Sequence, residues 1–517
     1  MRAATKLALA VVACAVALAT AAALPAVWWE PLHLDERVML EYAPDSPGTI
    51  VREVFVDRGG APLQFLVEHV TLQWPGGLAG LRLPSFVFFL LALGFSWPVA
   101  WLLVGERAAL ALPLLLASAP LAVELATFGR MYALFLWLVL AVAWLALRAG
   151  RSGTSRAWIA AGALAGGLVY VHPIAPLYAP FALACGLAAD NRPLREALAR
   201  ARPGLVAAIV VALPYVYALA VLRSRLGLGE AGPLSTTAGR SVPEEALHGL
   251  TPGGSLGLAA LMLFAAAGAV RLVRERPRPG VLLVLWVVVP VVFFTFVPAE
   301  TRFFARYVLP ALPAFLLLVA CGCTALARGR RSVAVALVAV VLVAEAVEDV
   351  DRLRALYDLE LRGLPGPART EALFSSTGSP RSDRPPELLD DLVALADGAP
   401  LRVEELPAID PRYEQGLVAR GSRNVAAFLS GGGEAGGLWL FRGAPRRVSA
   451  AAARLAENPA VLATRVGDEL LVVRSRRQET RRRLVELAAA VRVAWGIGAP
   501  RDRWPRTLVL IDRSALG

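Results

Sequence analysis

The sequence has little charge, few cysteines and almost no lysine. Only 18% of its 517 residues are charged and 57% are hydrophobic, whereas soluble domains average about 25% charged and roughly 45–50% apolar residues. This composition excludes an ordinary soluble enzyme and a disordered chain. The mean hydropathy is +0.58, and a positive mean over the whole chain requires apolar residues along much of its length. This also excludes a soluble protein with a single membrane anchor.

The four cysteines are too few for a disulfide framework in a chain of this length. All four lie in apolar runs. Cys321 and Cys323 are two positions apart in a predicted helix, so their side chains diverge and would not share one metal ion.

The sequence contains no HExxH, Walker A or paired CxxC motif, which leaves a metalloprotease, an ATPase or a zinc ribbon without support. GLGEAG at 227–232 fits G-x-G-x-x-G by letter, but no strand precedes it, and we interpret it as a flexible loop.

About eleven apolar segments are long enough, or nearly so, to cross a bilayer, which needs roughly 20 residues. They are residues 7–27, 83–104, 108–123, 131–147, 157–171, 174–189, 205–222, 256–270, 281–297, 307–327 and 333–347. The first follows Arg2 and Lys6, and a cleaved signal peptide is the alternative interpretation. We favour a retained helix, because the run is long and Trp28 and Trp29 follow it where an interfacial aromatic belt belongs.

Arginine accounts for 52 of the 53 basic residues, since Lys6 is the single lysine, and this usage is typical of a GC-rich bacterial genome. With a cytoplasmic N-terminus, most arginines between the segments fall in alternate, cytoplasmic loops, as the positive-inside rule requires. The net charge of +12 therefore reflects topology and not binding of nucleic acid. We expect an integral protein of the bacterial cytoplasmic membrane that contacts membrane lipids.

Three larger pieces then lie outside the cytoplasm: the first loop (29–80), a Gly-rich loop (223–255) and the residues after about Glu348. The predicted fold class is an all-α polytopic membrane domain, residues 1–350, followed by an extracytoplasmic α+β domain, residues 351–517. In the second domain we predict helices at 386–396 and 479–494, a strand at 438–441 and a hairpin turning at Gly467 and Asp468.

The first outer loop has the densest cluster of ionisable residues. Directly after the first segment it reads WWEPLHLDERVMLEY, with candidate groups at Glu30, His33, Asp35, Glu36, Arg37 and Glu41. Ionisable groups gathered at one membrane interface are functional candidates. The alternative interpretation is a solvated amphipathic helix at the interface.

The order of several motifs resembles the GT-C class of polytopic glycosyltransferases that use lipid-phosphate sugars, namely glycosyltransferase family 39, with its protein mannosyltransferases, and the aminoarabinose-transferase-like group. The matching segments are Asp35-Glu36 in the first outer loop, GGAPLQFLVEHVTLQW (59–74) for HPPLYYLLLHLW, LRLPS (81–85), SAPLAVELATFGRMYAL (118–134) for SP…EARMYAL, YVHP (170–173) and RYVLPALPAF (306–315). Together they cover most of residues 1–347.

Two departures from the family pattern concern donor specificity. Gly60 or Ala61 replaces the histidine of HPPLYY, and Gln64 and Phe65 replace its tyrosines. Phe128 occupies the position of the glutamate in EARMYAL, with Glu124 one helical turn earlier as a substitute.

The resemblance implies transfer of a hexosyl or pentosyl group from a polyprenyl-phosphate donor to an extracytoplasmic acceptor: a cell-envelope glycan, a lipid or a protein. We expect inversion at the anomeric carbon, with Asp35 as base and Glu36 as the second catalytic candidate. Arg130, Arg302 and Arg306 lie on the outer side against the positive-inside trend and are the candidates for binding the donor phosphate. Alternatively, each extends to lipid headgroups.

Weaker candidates for substrate or metal contacts are Glu124, His172, Tyr132 and Tyr307. The sequence leaves open whether Asp35, Glu36 or Glu124 binds a divalent cation, Mg²⁺ or Mn²⁺, because oxygen ligands suit these ions. Two rival functions also stay open. A transporter or lipid flippase would place ionisable groups at mid-membrane, and a non-catalytic envelope scaffold would tolerate replacement of Asp35.

Overall fold

Runs of Ala, Leu and Val favour helices here, because a segment surrounded by lipid must satisfy all its backbone hydrogen bonds internally. The computed structural model describes residues 2–29, 45–56, 60–73, 78–226, 242–251, 255–296 and 305–361, together with the short pieces 32–33, 36, 39, 42–43, 374–375, 402–405, 437–442, 461–466 and 469–474. The eleven predicted apolar segments coincide with helices and the turns between them in these ranges, except Val297, which lies outside the described residues. The predicted all-α membrane architecture is confirmed.

In the first half of the chain, the described residues include twelve α-helices with defined bounds. They are α1 (Arg2–Ala23), α2 (Ala26–Trp29), α3 (Pro47–Ile50), α4 (Leu63–Thr71), α5 (Leu78–Val104), α6 (Glu106–Ala109), α7 (Ala111–Ser118), α8 (Pro120–Ala126), α9 (Tyr132–Ser152), α10 (Ser155–Gly167), α11 (Ala175–Ala189) and α12 (Leu194–Leu226). A π-helical stretch, Val51–Val56, continues α3, and a 3₁₀ turn, Leu168–Tyr170, follows α10.

The second half of the described chain contains five further helices and six strands. The helices are α13 (Val242–Leu250), α14 (Ser255–Glu275), α15 (Pro277–Phe296), α16 (Leu312–Leu326) and α17 (Arg331–Leu361), with a 3₁₀ helix at Ala305–Ala311. The strands are β1 (Leu32–His33), β2 (Phe374–Ser375), β3 (Arg402–Glu405), β4 (Gly437–Arg442), β5 (Val461–Val466) and β6 (Glu469–Arg474).

Seven helices of the described chain are long and apolar enough to cross a membrane, and an eighth span results if a bent pair is counted as one. The sequence predicts about eleven, and the difference has physical causes. With 13 and 15 residues, α10 and α11 are too short to span alone. The apolar part of α17 ends in Glu345, Glu348 and Asp349, which are costly inside a bilayer.

The predicted segment 108–123 is not one straight helix. Glu106–Ser118 and Pro120–Ala126 meet at an angle of 60°. Between them Ala119 adopts an extended conformation (φ −69°, ψ 119°) and Pro120 begins α8. A residue before proline is driven out of the helical region, and proline provides no N–H for the preceding turn. The bend is therefore encoded by Ala119-Pro120, ten residues before Arg130.

Small residues let helix backbones touch. A Cβ added to Gly162 of α10 would overlap the carbonyl oxygen of Gly204 in α12, and one added to Gly322 of α16 would overlap that of Phe264 in α14. Close contact through glycine is the usual way to pack helices in lipid, where burying apolar side chains gains little. The helices also differ in how much of their apolar length is covered by protein. In Ala305–Leu326, 89% of the apolar stretch is buried, and in α12 only 11% is.

Arginines in the predicted cytoplasmic loops close the ends of helices. Arg151 and Arg276 donate to the carbonyl oxygens of Leu102 (3.0 Å) and Leu103 (3.3 Å) at the end of α5. Arg278 donates to the carbonyl oxygens of Asp190 and Arg192 just after α11, the latter at 2.7 Å. The last carbonyl groups of a helix have no partner within the helix, so these arginines supply one.

The chain divides into two units, Met1–Val27 with Val38–Leu353 and Trp28–Arg37 with Arg354–Gly517. In the second unit, β1 pairs with β2 in parallel. Strands β3, β4, β6 and β5 form a sheet in that order, with β3 parallel to β4 and the other pairs antiparallel. The predicted strand 438–441 lies in β4, and Val466 pairs with Glu469, as the predicted hairpin requires. The predicted helices at 386–396 and 479–494 lie outside the described residues.

Candidate functional site

Three separate turns of the first unit bring cationic and aromatic side chains together. These turns are residues 127–131 between α8 and α9, residues 171–174 before α11, and the 3₁₀ helix Ala305–Ala311. We call the assembled group the arginine–aromatic cluster, which comprises Phe65, Phe128, Arg130, Tyr132, Phe135, His172, Arg306 and Tyr307.

Arg130 is held by contacts on its backbone and on its side chain. Its N–H donates to the carbonyl oxygen of Phe128 at 2.6 Å, which makes a tight turn. Ser85 Oγ donates to the carbonyl oxygen of Arg130 at 3.2 Å. The guanidinium carbon lies 6.0 Å from the centre of the Phe65 ring, and Nη1 is 3.1 Å from Met39 Sδ. Arg130 therefore has a fixed position between the first outer loop and the start of α9.

Arg306 lies on a surface made by two stacked rings. Its guanidinium carbon is 5.8 Å from the centre of the Phe128 ring and 5.5 Å from that of Tyr132, and the two rings stack at 5.9 Å. The 3₁₀ helix that carries Arg306 is anchored at the next residue, because Tyr178 Oη donates to the carbonyl oxygen of Tyr307 at 2.7 Å. The ring of Phe128, at the position of the family's glutamate, thus holds Arg306 by a cation–π contact.

His172 is neutral, and its tautomer is fixed by its surroundings. Its Nδ1 accepts a hydrogen bond from the Ile174 N–H at 3.1 Å, so the proton of the neutral ring is on Nε2. Burial, together with the smaller effect of the positive charges of Arg130 and Arg306, lowers the pKa of His172 to about 3. A group with so low a pKa is a hydrogen-bond donor at neutral pH and a poor general base.

The rings around His172 exclude water from it. Its ring centre lies 5.4 Å from that of Tyr132, 5.6 Å from that of Phe135 and 6.0 Å from that of Tyr307, and only 4% of the residue is exposed. Electrostatic attraction is stronger where water is excluded. The cluster therefore provides two fixed cations and one neutral N–H donor, an arrangement suited to binding an anion and stabilising added negative charge.

The LRLPS segment contributes two contacts that the sequence analysis missed. Arg82, only 1% exposed, donates to the carbonyl oxygen of Ala26 at 3.2 Å, and Ser85 holds the backbone of Arg130. LRLPS thus joins the start of α5 to α2 and to the cluster. Arg82 lies on the predicted outer side against the positive-inside trend, the same signal that identified Arg130 and Arg306, and it could have been found in that way.

The structure describes some predicted site residues and not others. Asp35 and Arg302 lie outside the described residues, and their roles stay predictions. Glu36 is buried (1% exposed) in the second unit. Glu124 is half-buried on α8, one turn before Phe128. Arg130, His172, Tyr132, Arg306 and Tyr307 are brought together by the fold.

Metal binding has no support within the part of the chain that the structure describes. No group of three or more His, Cys, Asp and Glu side chains there is placed to hold a metal ion. The sequence-based candidates included Asp35, so the question of Mg²⁺ or Mn²⁺ is open at that residue. The chemistry of the arginine–aromatic cluster itself needs no metal to hold an anion.

The chain is similar to membrane proteins that transfer sugars. Residues 72–217 match the family described as dolichyl-phosphate-mannose-protein mannosyltransferase. ArnT from Cupriavidus metallidurans in the apo state has a TM-score of 0.53 and 17% identity, over 91% of this chain and 98% of that chain. For ArnT bound to undecaprenyl phosphate the values are 0.48, 17%, 90% and 97%.

A more distant likeness is to the oligosaccharyltransferase of Archaeoglobus fulgidus, with a TM-score of 0.46 and 12% identity, over 76% of this chain and 58% of that chain. No curated protein matches the chain at a significant level. The fold shared with ArnT and the family match over residues 72–217 together confirm the resemblance that the sequence predicts, to the GT-C class of polytopic glycosyltransferases.

Proposed function

We propose that this protein is a membrane glycosyltransferase that moves a sugar from a polyprenyl-phosphate donor to an acceptor outside the cytoplasm. The observation that carries the proposal is that three separate turns bring Arg130 and Arg306, both half-buried, close to the buried His172 among aromatic rings. Two further points support it. The matched family is named for a dolichyl-phosphate sugar donor, and ArnT, whose fold is similar, binds undecaprenyl phosphate.

The proposed reaction is a direct displacement at the anomeric carbon. Asp35 takes the proton of the acceptor hydroxyl, and the acceptor oxygen forms a bond to the anomeric carbon as the bond from that carbon to the phosphate oxygen breaks. The bonding electron pair leaves with the phosphate, whose charge changes from about −1 to −2. Attack opposite to the leaving group inverts the anomeric configuration.

In this scheme the arginine–aromatic cluster stabilises the leaving group. Arg130 and Arg306 offer fixed guanidinium groups that match phosphate oxygens in geometry, and His172 offers one N–H donor. Because these groups are already in place, they need no reorganisation when charge develops on the phosphate. Glu36 or Glu124 would orient Asp35, the acceptor or a metal ion.

We also propose the orientation, with the N-terminus in the cytoplasm and the first outer loop, the cluster and residues 351–517 on the other side. The distribution of arginines supports this orientation. The position of the C-terminal domain on that side would let it select the acceptor, which is a cell-envelope glycan, a lipid or a protein. Deletion of the domain should then change the choice of acceptor.

The test is glycosyl transfer in membranes from a set of radiolabelled polyprenyl-phosphate sugars. Wild type should transfer one of them, and Asp35→Asn should not, while remaining extractable as a folded monodisperse protein. Asp45→Asn, the same change in the same loop, is the matched control and should retain transfer. Equal transfer by wild type and Asp35→Asn would move the role of base to Glu36 or Glu124. Absence of transfer from every donor by folded wild type would overturn the proposed function.

A further inference from the structure

A second polar group lies beside the arginine–aromatic cluster, on α4. Gln64 and Glu68 are one helical turn apart and almost fully buried, with 1% and 0% exposed. Gln64 Nε2 donates to Glu68 Oε1 at 2.6 Å. The two residues stand where the family-like segment HPPLYYLLLHLW has a tyrosine and a leucine.

The hydrogen bond to Glu68 determines which way the Gln64 amide points. Because Gln64 Nε2 donates to Glu68, Oε1 on the other branch of the amide faces away from Glu68. Gln64 Oε1 is buried and accepts no hydrogen bond from any residue that the structure describes. A buried acceptor without a donor is costly and uncommon in native proteins.

The position of α4 points to the donor substrate. Phe65 lies between the two residues, on the same buried face of α4, and its ring is 6.0 Å from the Arg130 guanidinium. The helix is anchored on both sides of this face. Phe65 packs edge-on against Tyr42, and His69 Nδ1 is 2.9 Å from the carbonyl oxygen of Ala43. Gln64 and Glu68 thus flank the ring that contacts the proposed phosphate-binding arginine.

We propose that Gln64 and Glu68 form a subsite for a hydroxyl group of the donor sugar. The sugar O–H donates to Gln64 Oε1, and Glu68 is a positioning residue that holds the amide in the accepting orientation. This inference rests on the proposed function, because the sugar reaches α4 only if its phosphate is bound at Arg130. The ligand class is a neutral sugar with a free hydroxyl at one defined ring position.

The test compares the donor sugar with analogues that each lack one hydroxyl group. For wild type, kcat/KM for one deoxy analogue should be about 10- to 100-fold below that for the parent, because a site built to pair a hydroxyl discriminates against its loss. Gln64→Met, of similar length and without an acceptor, should bring this ratio close to 1. Gln73→Met, on the residue two positions after α4, is the matched control and should leave the ratio unchanged.

Glu68→Gln provides a second variant that keeps the size of the side chain and removes its charge. The Gln64 amide is then free to rotate, and the ratio should fall part of the way towards 1 even if Gln64→Met does not fold. A merely structural role would change the amount of folded protein and leave the ratio as in wild type. An unchanged ratio in folded Gln64→Met or Glu68→Gln overturns the subsite while wild-type transfer still supports the proposed function. Absence of transfer by wild type overturns the proposed function itself.

Discussion

Arginines on the two sides of this molecule make different contacts. On the predicted outer side, Arg130 and Arg306 lie against Phe65, Phe128 and Tyr132. On the predicted cytoplasmic side, Arg151, Arg276 and Arg278, which we call the inner arginines, donate to backbone carbonyl oxygens at helix ends. An aromatic ring contacts the flat face of a guanidinium group, whereas the N–H donors of that group lie along its edge. Arg151 also lies 5.9 Å from the Trp101 ring, so the contacts with backbone carbonyl oxygens, and not ring contacts, are what the inner arginines have in common.

Charged neighbours are present on both sides. The segments that contain the inner arginines also contain ion pairs, such as Asp190 with Arg192 at 3.3 Å and Glu275 with Arg271 at 2.8 Å. On the outer side, the positive charges of Arg130 and Arg306 help to lower the pKa of His172.

The largest expected effect is on catalysis at an outer arginine. Arg306→Ala should lower kcat by about 10²–10³, because removing one preorganised group that stabilises developing charge has an effect of this size. The measurement is the rate of glycosyl transfer at saturating donor. Arg276→Ala is the matched inner variant and should keep kcat within about twofold of wild type per folded molecule. A similar loss of kcat in both variants would contradict the difference in role between the outer and the inner arginines.

The second effect concerns the pH dependence of stability through His172. Its pKa is about 3 in the folded protein and about 6.5 in the unfolded chain, so the unfolded state binds the extra proton between these values. The free energy of unfolding should be highest above pH 6.5 and fall by up to about 1.4 kcal/mol per pH unit as the pH drops towards 3. Unfolding in detergent between pH 4 and 7 should show a smaller slope for His172→Asn than for wild type. Equal slopes would contradict the neutral histidine.

The third effect is on stability at an inner arginine. Arg278→Ala removes two donors from the carbonyl groups after α11 and should lower the free energy of unfolding by about 1–2 kcal/mol, since the site is partly exposed. Thermal unfolding measures this loss, and transfer per folded molecule should stay near the wild-type value. Loss of transfer with unchanged stability would assign a catalytic role to this side as well.

The smallest effect is expected at the ring beneath Arg306. Phe128→Leu removes one cation–π contact of about 0.5–1 kcal/mol, so KM for the donor should rise about two- to fivefold. Trp101→Leu is the control, because the Trp101 ring lies 5.9 Å from Arg151 on the inner side. Its KM should not change. Equal shifts in both variants would show that the two kinds of ring contact are equivalent.

The sequence predicts the helical segments and the outer arginines but not how they are arranged. Apolar content locates α10 and α11 without revealing that they are too short to span, and it joins α7 and α8 across the bend at Ala119-Pro120. Arg130 and Arg306 are 176 positions apart, so their common location depends on packing that no local pattern encodes. The positive-inside rule nevertheless singled both out, because a charge in an unfavourable place needs a reason.

Other features depend on contacts distant in sequence. Ser118 Oγ donates to Glu345 Oε2 at 2.5 Å, where both residues are buried, which joins the bend in the chain to α17. Ser118 does not stand out by type or spacing, and the charge of Glu345 in an apolar segment does not reveal its partner. Gln64 looked like a loss of the family's tyrosine, and only its hydrogen bond to Glu68 shows that a different polar group replaces it.

The glycine contact between α10 and α12 has a consequence for how the protein enters the membrane. At about 1.5 Å per residue, the 13 residues of α10 reach about 20 Å, less than the roughly 30 Å of a hydrocarbon core. A helix this short does not cross the hydrocarbon core by itself, so it should leave the insertion machinery for the lipid poorly when it is alone. Because Gly162 and Gly204 meet backbone to backbone, α10 gains close packing when it docks onto α12. We therefore expect α10 to settle in the bilayer only after α12, 27 residues later in the chain from Gly167 to Leu194, has emerged.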